Sequence, residues 1–288
     1  MRVENLALIE ANDLHYHYDR SICALQGLNL TVRAGSKLAV LGANGAGKST
    51  LFLHLNGTLK PERGEIRLHN ERADYTRKGL SRWRQMVGLV LQNPDDQLFA
   101  ATVEQDVSFG PLNIGLDETA VRQSVSEALC ALEIETLRDR PTHLLSFGQR
   151  KRVAIAGAVA MRPKLLILDE PSAGLDPEGV RNLLITLDEL HARGTTLLMA
   201  THDLDLACAW ADEIALLQSG RVLKQGEVAE IMSDAGLLKQ AHLCVPLVLE
   251  IGQQLQNLGL LSRSEPLPRT RAALLSRLGK TNPISVAT

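Results

Sequence analysis

The sequence predicts an α/β fold with a parallel sheet, and three short apolar runs support this. Residues 165–168 and 197–201 are apolar runs of strand length separated by a helical segment, which is typical of neighbouring buried parallel strands. Residues 37–41 form a third apolar run, which leads directly into glycines and then into a helix that ends near Asn56. Strands and helices that alternate in this way indicate an α/β core.

The other segments add strands, a helical insertion and an appendage. Residues 28–32 and 64–70 predict further strands, and residues 102–160 change to a mainly helical pattern that we interpret as an inserted subdomain. Towards the C-terminus the strand signals fade, and prolines separate short helical stretches such as residues 247–260. The predicted divisions are a main domain (1–230), a helical subdomain within it (about 95–160) and a small, mainly helical C-terminal appendage (231–288).

Composition argues against several classes of function. The 288 residues carry a formal net charge of −2, which gives no basic field for nucleic-acid binding. The four cysteines are far apart, so we expect neither a disulfide framework nor a zinc site, and a reducing cytoplasm fits best. Residues 1–10 lack the pattern of a signal peptide, and no apolar run reaches the roughly 20 residues that span a bilayer. We therefore expect any membrane role to act through partner chains, without direct insertion.

The glycine-rich loop has the pattern of a nucleotide phosphate-binding loop. Residues 42–49 have the sequence Gly-Ala-Asn-Gly-Ala-Gly-Lys-Ser, between a predicted strand and a predicted helix. In such a loop, backbone N–H groups and the helix N-terminus bind phosphates, the lysine reaches the β and γ phosphates, and the serine holds Mg²⁺. A glycine-rich turn before a packed helix is the structural alternative. The residues expected to bind ATP here are Gly42, Asn44, Gly45, Ala46, Gly47, Lys48, Ser49 and Thr50, with Lys48 also acting in catalysis.

Two adjacent carboxylates end the apolar run at residues 165–168. A buried strand would deliver Asp169 and Glu170 to the edge of the sheet where phosphates bind. Asp169 is then placed to hold Mg²⁺, and Glu170 is placed to polarise the attacking water as a general base. Without the phosphate loop upstream, such a pair is as readily a charge cluster at a helix N-terminus.

A segment of the helical region resembles the signature sequence of the ABC ATPase family. Residues 145–149 are Leu-Ser-Phe-Gly-Gln, with phenylalanine where the common family form has glycine, and Arg-Lys-Arg follows. Gln92, the loop at residues 172–176 and His202 match other family motifs in the family order. The resemblance implies a P-loop NTPase fold with a RecA-like core, an antiparallel β subdomain and a helical signature subdomain.

The same resemblance implies roles for individual residues. His202 would contact the γ phosphate and orient the water together with Glu170, although a lone histidine after a strand is more often a surface or capping residue. Gln92 would bind near the metal and couple it to transport subunits. Tyr18 would stack on adenine, with Tyr16 or His15 as alternatives. The family also implies a dimer in which ATP lies between one phosphate loop and the signature segment of a second copy. The residues expected to complete the nucleotide site in this way are Ser146, Gly148, Gln149 and Asp176.

Residues 92–99 and 102–111 resemble the corresponding part of ATPases from energy-coupling factor importers. The resemblance implies a peripheral subunit on the cytoplasmic face of the cell membrane, with a transmembrane coupling subunit and substrate-binding membrane subunits as partners. Asp95 and Asp96 would lie in the groove that receives the coupling helices and face arginines there, or simply form a solvated turn. The signature region looks most like that of cobalt importer ATPases. Nickel and vitamin importers remain alternatives, as do a soluble ABC clamp protein and a regulatory subunit without turnover, and the appendage is expected to hold the dimer together.

Overall fold

The protein is described here by a computed structural model that covers residues 6–19 and 21–280. The described residues form ten β-strands and eleven α-helices arranged in the predicted α/β order. The strands are β1 (Ala7–Tyr18), β2 (Ile22–Arg33), β3 (Lys37–Leu41), β4 (Arg63–Leu68), β5 (Glu71–Arg72), β6 (Val87–Val90), β7 (Leu165–Asp169), β8 (Thr196–Thr201), β9 (Glu213–Gln218) and β10 (Arg221–Glu227). The helices are α1 (Lys48–Leu55), α2 (Arg77–Met86), α3 (Val103–Asn113), α4 (Glu118–Ala131), α5 (Phe147–Val159), α6 (Pro177–Ala192), α7 (Leu204–Trp210), α8 (Val228–Ser233), α9 (Ala235–Gln240), α10 (Leu247–Asn257) and α11 (Arg271–Lys280).

A six-stranded sheet forms the centre of the fold. Its order is β10-β9-β3-β8-β7-β6, with β9, β3, β8, β7 and β6 parallel and β10 antiparallel at one edge. The predicted strands at residues 165–168 and 197–201 are parallel neighbours, as expected. All five residues of β7 are buried, which explains why its sequence is a continuous apolar run rather than an alternating one. The carboxyl ends of β3, β7 and β8 therefore meet at one edge of the sheet.

A second, antiparallel sheet has the order β2-β1-β4-β5. The strand predicted at residues 28–32 is part of a 12-residue strand, because β2 pairs with β1 almost from end to end. The side chains of β3 alternate between two cores. Leu38 and Val40 pack with the antiparallel sheet and α1, whereas Ala39 and Leu41 face the core shared with the helical subdomain. This packing fixes the antiparallel sheet against the strand that leads into the glycine-rich loop.

The insertion predicted from the sequence consists of α3, α4 and α5 with short 3-10 turns between them. Two of these helices begin with a capping box, Thr102 with Gln105 at α3 and Ser146 with Gln149 at α5. In each box the two side chains bond reciprocally to backbone N–H groups that would otherwise lack partners. The start of the signature helix is thus fixed by its own side chains.

The C-terminal helices pack onto the same core as the main sheet. Val248 and Leu249 of α10 are buried in it, and Arg269 donates hydrogen bonds to the carbonyl oxygens of Cys208, at 2.6 Å, and Ala211. The helix predicted at residues 247–260 is α10, which ends three residues earlier. Within residues 6–19 and 21–280, no helix is both long and apolar enough to cross a bilayer.

Candidate active site

The glycine-rich loop leaves the carboxyl end of β3 and enters α1 at Lys48. Two of its glycines have left-handed backbone, with φ of 79° at Gly45 and 105° at Gly47. Gly47 also lies against the strand β2, because an added Cβ would come within 2.7 Å of the Ala24 carbonyl oxygen. The loop conformation therefore requires glycine at position 47 for both backbone and space, as the motif predicts.

Lys48 is buried at the bottom of this loop. Its Nζ donates to the carbonyl oxygen of Gly42 at 2.7 Å and lies 3.8 Å from Glu170 Oε1. The amine is thus held between the loop backbone and a carboxylate, on the first turn of a helix whose N-terminus carries partial positive charge. This arrangement is suited to phosphate oxygens, which would take a place beside the ammonium group.

The carboxylate pair lies at the end of β7, beside the loop. Asp169 and Glu170 are each only 4% exposed. Glu170 has a left-handed φ of 45°, which is uncommon for a residue with a side chain, and its N–H donates to the Ala200 carbonyl oxygen at 3.0 Å. One carboxylate oxygen, Oε2, is joined by a 2.9 Å hydrogen bond to Nδ1 of His202, the residue after β8. Of the three predicted catalytic residues, Lys48 and His202 each lie beside the Glu170 carboxylate.

The donor groups around Asp169 fit a metal site. Burial raises the pKa of Asp169, and a hydrogen bond from Ser49 and the nearby charge of Lys48 act in the opposite direction. Hydroxyl, carboxylate and amide oxygens are the ligands that Mg²⁺ prefers. Ser49 provides a hydroxyl and Asp169 a carboxylate, and these two side chains are hydrogen-bonded to each other. Gln92, which has an amide oxygen, lines the same cavity. These residues fit a Mg²⁺ ion with bound phosphates.

An open cavity of about 730 Å³ joins these residues. Tyr18 stands at its wall, 36% exposed, with its hydroxyl 3.4 Å from Thr50 Oγ1. Tyr16 packs instead against His54, with ring centroids 4.8 Å apart, and His15 pairs with Asp13 at 3.1 Å. Of the three aromatic candidates for the adenine, Tyr18 alone lines the cavity. The predicted residues that line it are Tyr18, Gly42, Asn44, Gly45, Ala46, Gly47, Lys48, Ser49, Thr50, Gln92, Asp169, Glu170 and His202.

The cavity also contains residues that the sequence analysis missed. His242 and Leu243, which follow α9 in the predicted appendage, form part of its wall. They lie about 190 residues beyond the phosphate loop, and no local pattern in the sequence connects them with nucleotide binding. In the sequence Lys151 is one of three consecutive cations, yet in the structure it is buried with its Nζ 2.8 Å from the Glu170 carbonyl oxygen. Burial lowers its pKa to about 8, while Asp169 and Glu170 oppose that shift.

The remaining predicted residues lie outside this cavity. Ser146, Gly148, Gln149 and Asp176 line a separate space of about 590 Å³ between α5 and α6. Ser146 caps α5, and Asp176 caps α6 by accepting the Gly179 N–H at 2.7 Å. A single chain therefore does not bring the signature segment to its own phosphate loop. The expected nucleotide contacts of these four residues would require a second copy.

Comparison with known proteins shows which family the chain belongs to. The ABC transporter family profile matches residues 25–173, just over half of the chain. The chain belongs to the ABC transporter ATPase family. As a member of that family it binds and hydrolyses ATP.

Several relatives match over most of their length. The cobalt import ATP-binding protein CbiO of Rhodobacter capsulatus is 52% identical over 271 residues, covering 94% of this chain and 97% of that protein. The energy-coupling factor transporter ATP-binding protein EcfA of Methanocaldococcus jannaschii is 45% identical, covering 85% and 88%. The solved structure of cbiO1 from Clostridium perfringens, part of the ABC transporter complex cbiONQ, has a TM-score of 0.73 at 44% identity, covering 87% and 99%. The similarity extends well beyond the family profile, into the C-terminal helices.

Proposed function

We propose that this chain is the ATPase subunit of an energy-coupling factor importer, and that it powers the uptake of cobalt ions through partner membrane subunits. The hydrolytic part of this proposal rests on the contact of Lys48 and His202 with the buried Glu170 carboxylate. The transport part is supported by the identity to CbiO and EcfA over most of each chain. The resemblance of residues 92–111 to importer ATPases points in the same direction.

In the proposed mechanism, the phosphate loop and Lys48 bind the β and γ phosphates and hold the γ phosphate beside Glu170. The Glu170 carboxylate accepts a proton from the attacking water, while His202 holds the carboxylate and contacts the γ phosphate. A Mg²⁺ ion bound by Ser49, Asp169 and Gln92 would neutralise charge on the phosphates. Tyr18, which lines the same cavity, would stack on the adenine.

The working unit in this proposal is a dimer of two copies. Each nucleotide would lie between one phosphate loop and the Ser146 segment of the other copy. The positions of Ser146, Gly148, Gln149 and Asp176 support this arrangement, because within one chain they line a different space from the phosphate loop. The N-terminus of α5, which begins at Phe147, then adds a second positive helix end for the phosphates.

Coupling to the membrane subunits would pass through the segment after β6. Gln92 precedes a short 3-10 helix, Pro94–Asp96, whose Asn93 cap accepts the Asp95 N–H at 3.2 Å. The resemblance to importer ATPases implies that both aspartates face arginines of a partner, with a solvated turn as the alternative. Asp95 is instead paired with Arg150 of α5 at 2.7 Å, which makes Asp96 the better candidate for such a contact. The coupling segment is thus tied directly to the signature helix.

The test is transport. We would co-express the chain with membrane subunits of a cobalt importer and measure ATP-dependent uptake of Co²⁺, Ni²⁺ and a vitamin panel, with Glu170→Gln as the matched control. The proposal predicts Co²⁺ uptake that the variant abolishes, with the chain recovered in the membrane fraction only when the membrane subunits are present. Uptake of Ni²⁺ or a vitamin in place of Co²⁺ would refute the cobalt assignment. ATPase activity without association with any importer subunit would favour the soluble clamp alternative.

A further inference from the structure

Lys151 on α5 is a buried cation that the mechanism above does not use. Its side chain is 1% exposed, although lysine is almost never fully buried unless it is paired. Its Nζ donates to two backbone carbonyl oxygens, that of Gln92 at 2.9 Å and that of Glu170 at 2.8 Å. Desolvation of an ammonium group costs several kcal/mol, and well-packed apolar side chains often replace buried charges at no loss of stability. The presence of a lysine here therefore calls for an explanation other than stability.

The two acceptors belong to the two loops that carry the expected reaction chemistry. Gln92 follows β6 and Glu170 follows β7, and these strands are parallel neighbours. The backbone of Glu170 is held from both sides, because its N–H donates to Ala200 while its carbonyl oxygen accepts from Lys151 and from the Ala173 N–H at 3.1 Å. Since Glu170 has a left-handed φ, these contacts hold the strained backbone from which its carboxylate extends.

Lys151 also links the two loops to α5, the helix that begins with the signature segment. Lys151 lies on the second turn of α5, after the capping box formed by Ser146 and Gln149. The ring of Phe147, one turn earlier, lies with its centroid 5.7 Å from Lys151 Nζ. The same ring packs against Gly174 in the loop after Glu170, where an added Cβ would come within 2.6 Å of it. Phe147 and Lys151 thus join α5 to the loop that carries Glu170.

We propose that Lys151 is a positioning residue for ATP hydrolysis, which ties the signature helix to the backbone of both Gln92 and Glu170. The inference rests on the proposed role of Glu170 as general base. Lys151 reaches the carboxylate only through the backbone, so its loss displaces Glu170 without removing any group that binds the nucleotide. The charged groups around Lys151 are the carboxylates of Asp169 and Glu170 at the end of β7, Lys48 of α1 on the other side of Glu170, and Arg150 on its own helix.

The test uses three substitutions of Lys151 in the full chain. Lys151→Met keeps the length and apolar stem but removes every donor, whereas Lys151→Gln and Lys151→Arg keep donors. Lys164→Met makes the same chemical change at an exposed lysine just before the opposite end of β7. For each variant we would measure kcat and KM for Mg²⁺-ATP, the Kd of a fluorescent ATP analogue, and the Tm.

We expect Lys151→Met to lower kcat by on the order of 10- to 100-fold, as a small misplacement of a catalytic group does, with KM and Kd within about threefold of wild type. At least one donor-retaining variant should recover at least about threefold in kcat over Lys151→Met, and Lys164→Met should match wild type. The proposal is overturned if kcat is unchanged in Lys151→Met or if Kd rises in step with the loss of kcat. It is also overturned if neither Lys151→Gln nor Lys151→Arg has a higher kcat than Lys151→Met. A wild type that hydrolyses no ATP would refute the proposed function as well.

Discussion

The contact between Phe147 and Gly174 gives a prediction that can be worked out from the structure. Gly174 has φ of 75°, and a Cβ at this position would lie 2.6 Å from Cε1 of Phe147. Gly174→Ala therefore combines two costs, about 1–2 kcal/mol for a left-handed alanine and about 1–3 kcal/mol for overpacking against the ring. We expect the variant to lose about 2–5 kcal/mol of unfolding free energy.

The two costs can be separated with a double-mutant cycle. In a Phe147→Ala background the steric cost disappears, so Gly174→Ala should then cost only the backbone part, about 1–2 kcal/mol. Urea unfolding followed by tryptophan fluorescence would measure all four chains, and Gly194→Ala is a suitable control. Gly194 also has a positive φ, 98°, but an added Cβ would meet nothing within 4 Å among the described residues. Equal costs of Gly174→Ala in both backgrounds would refute the claim that the Phe147 ring restricts this loop.

Three further predictions concern single side chains. Lys48→Ala should weaken ATP binding by on the order of 10- to 100-fold through loss of a charge-assisted contact, measured by titration with a fluorescent nucleotide, and unchanged affinity would discredit the phosphate loop. His202→Ala should lower kcat by on the order of 10²-fold with little change in Kd, because Glu170 loses the partner of its Oε2, and a full-rate variant would remove His202 from the mechanism. Burial lowers the pKa of His54, and its Nε2 has no hydrogen-bond partner among the described residues. The imidazole of His54 therefore binds a proton more tightly in the unfolded chain than in the folded one. The Tm should therefore fall as the pH drops below about 6.5, and should fall less in His54→Gln; parallel pH profiles of the two proteins would contradict this.

Local sequence was sufficient to predict the parts of the site that depend on chain neighbours. The phosphate loop needs left-handed glycines followed by a helix, and the carboxylate pair needs a buried strand before it, so both leave a pattern within about ten residues. The apolar runs of β7 and β8 were informative for the same reason, since strands covered on both faces are apolar throughout.

Contacts between distant segments could not be predicted in this way. The sequence shows Lys151 as one cation of three, and only the fold reveals that it points inward between β6 and β7 while Arg150 pairs with Asp95. His242 reaches the nucleotide cavity because the C-terminal helices pack on the main core, which depends on side chains spread over the whole chain. The full length of β2 likewise follows from its pairing with β1 rather than from its own alternation.

The central claim is that Glu170 acts as the general base of ATP hydrolysis in a site formed with Lys48 and His202. Its most direct test is Glu170→Gln, which keeps the size of the side chain and removes the proton acceptor. We would measure ATP binding and steady-state hydrolysis by the purified variant beside wild type. We expect the variant to bind ATP with an affinity within about threefold of wild type and to turn it over at least about 10²-fold more slowly. Hydrolysis by the variant at a rate close to that of wild type would contradict it.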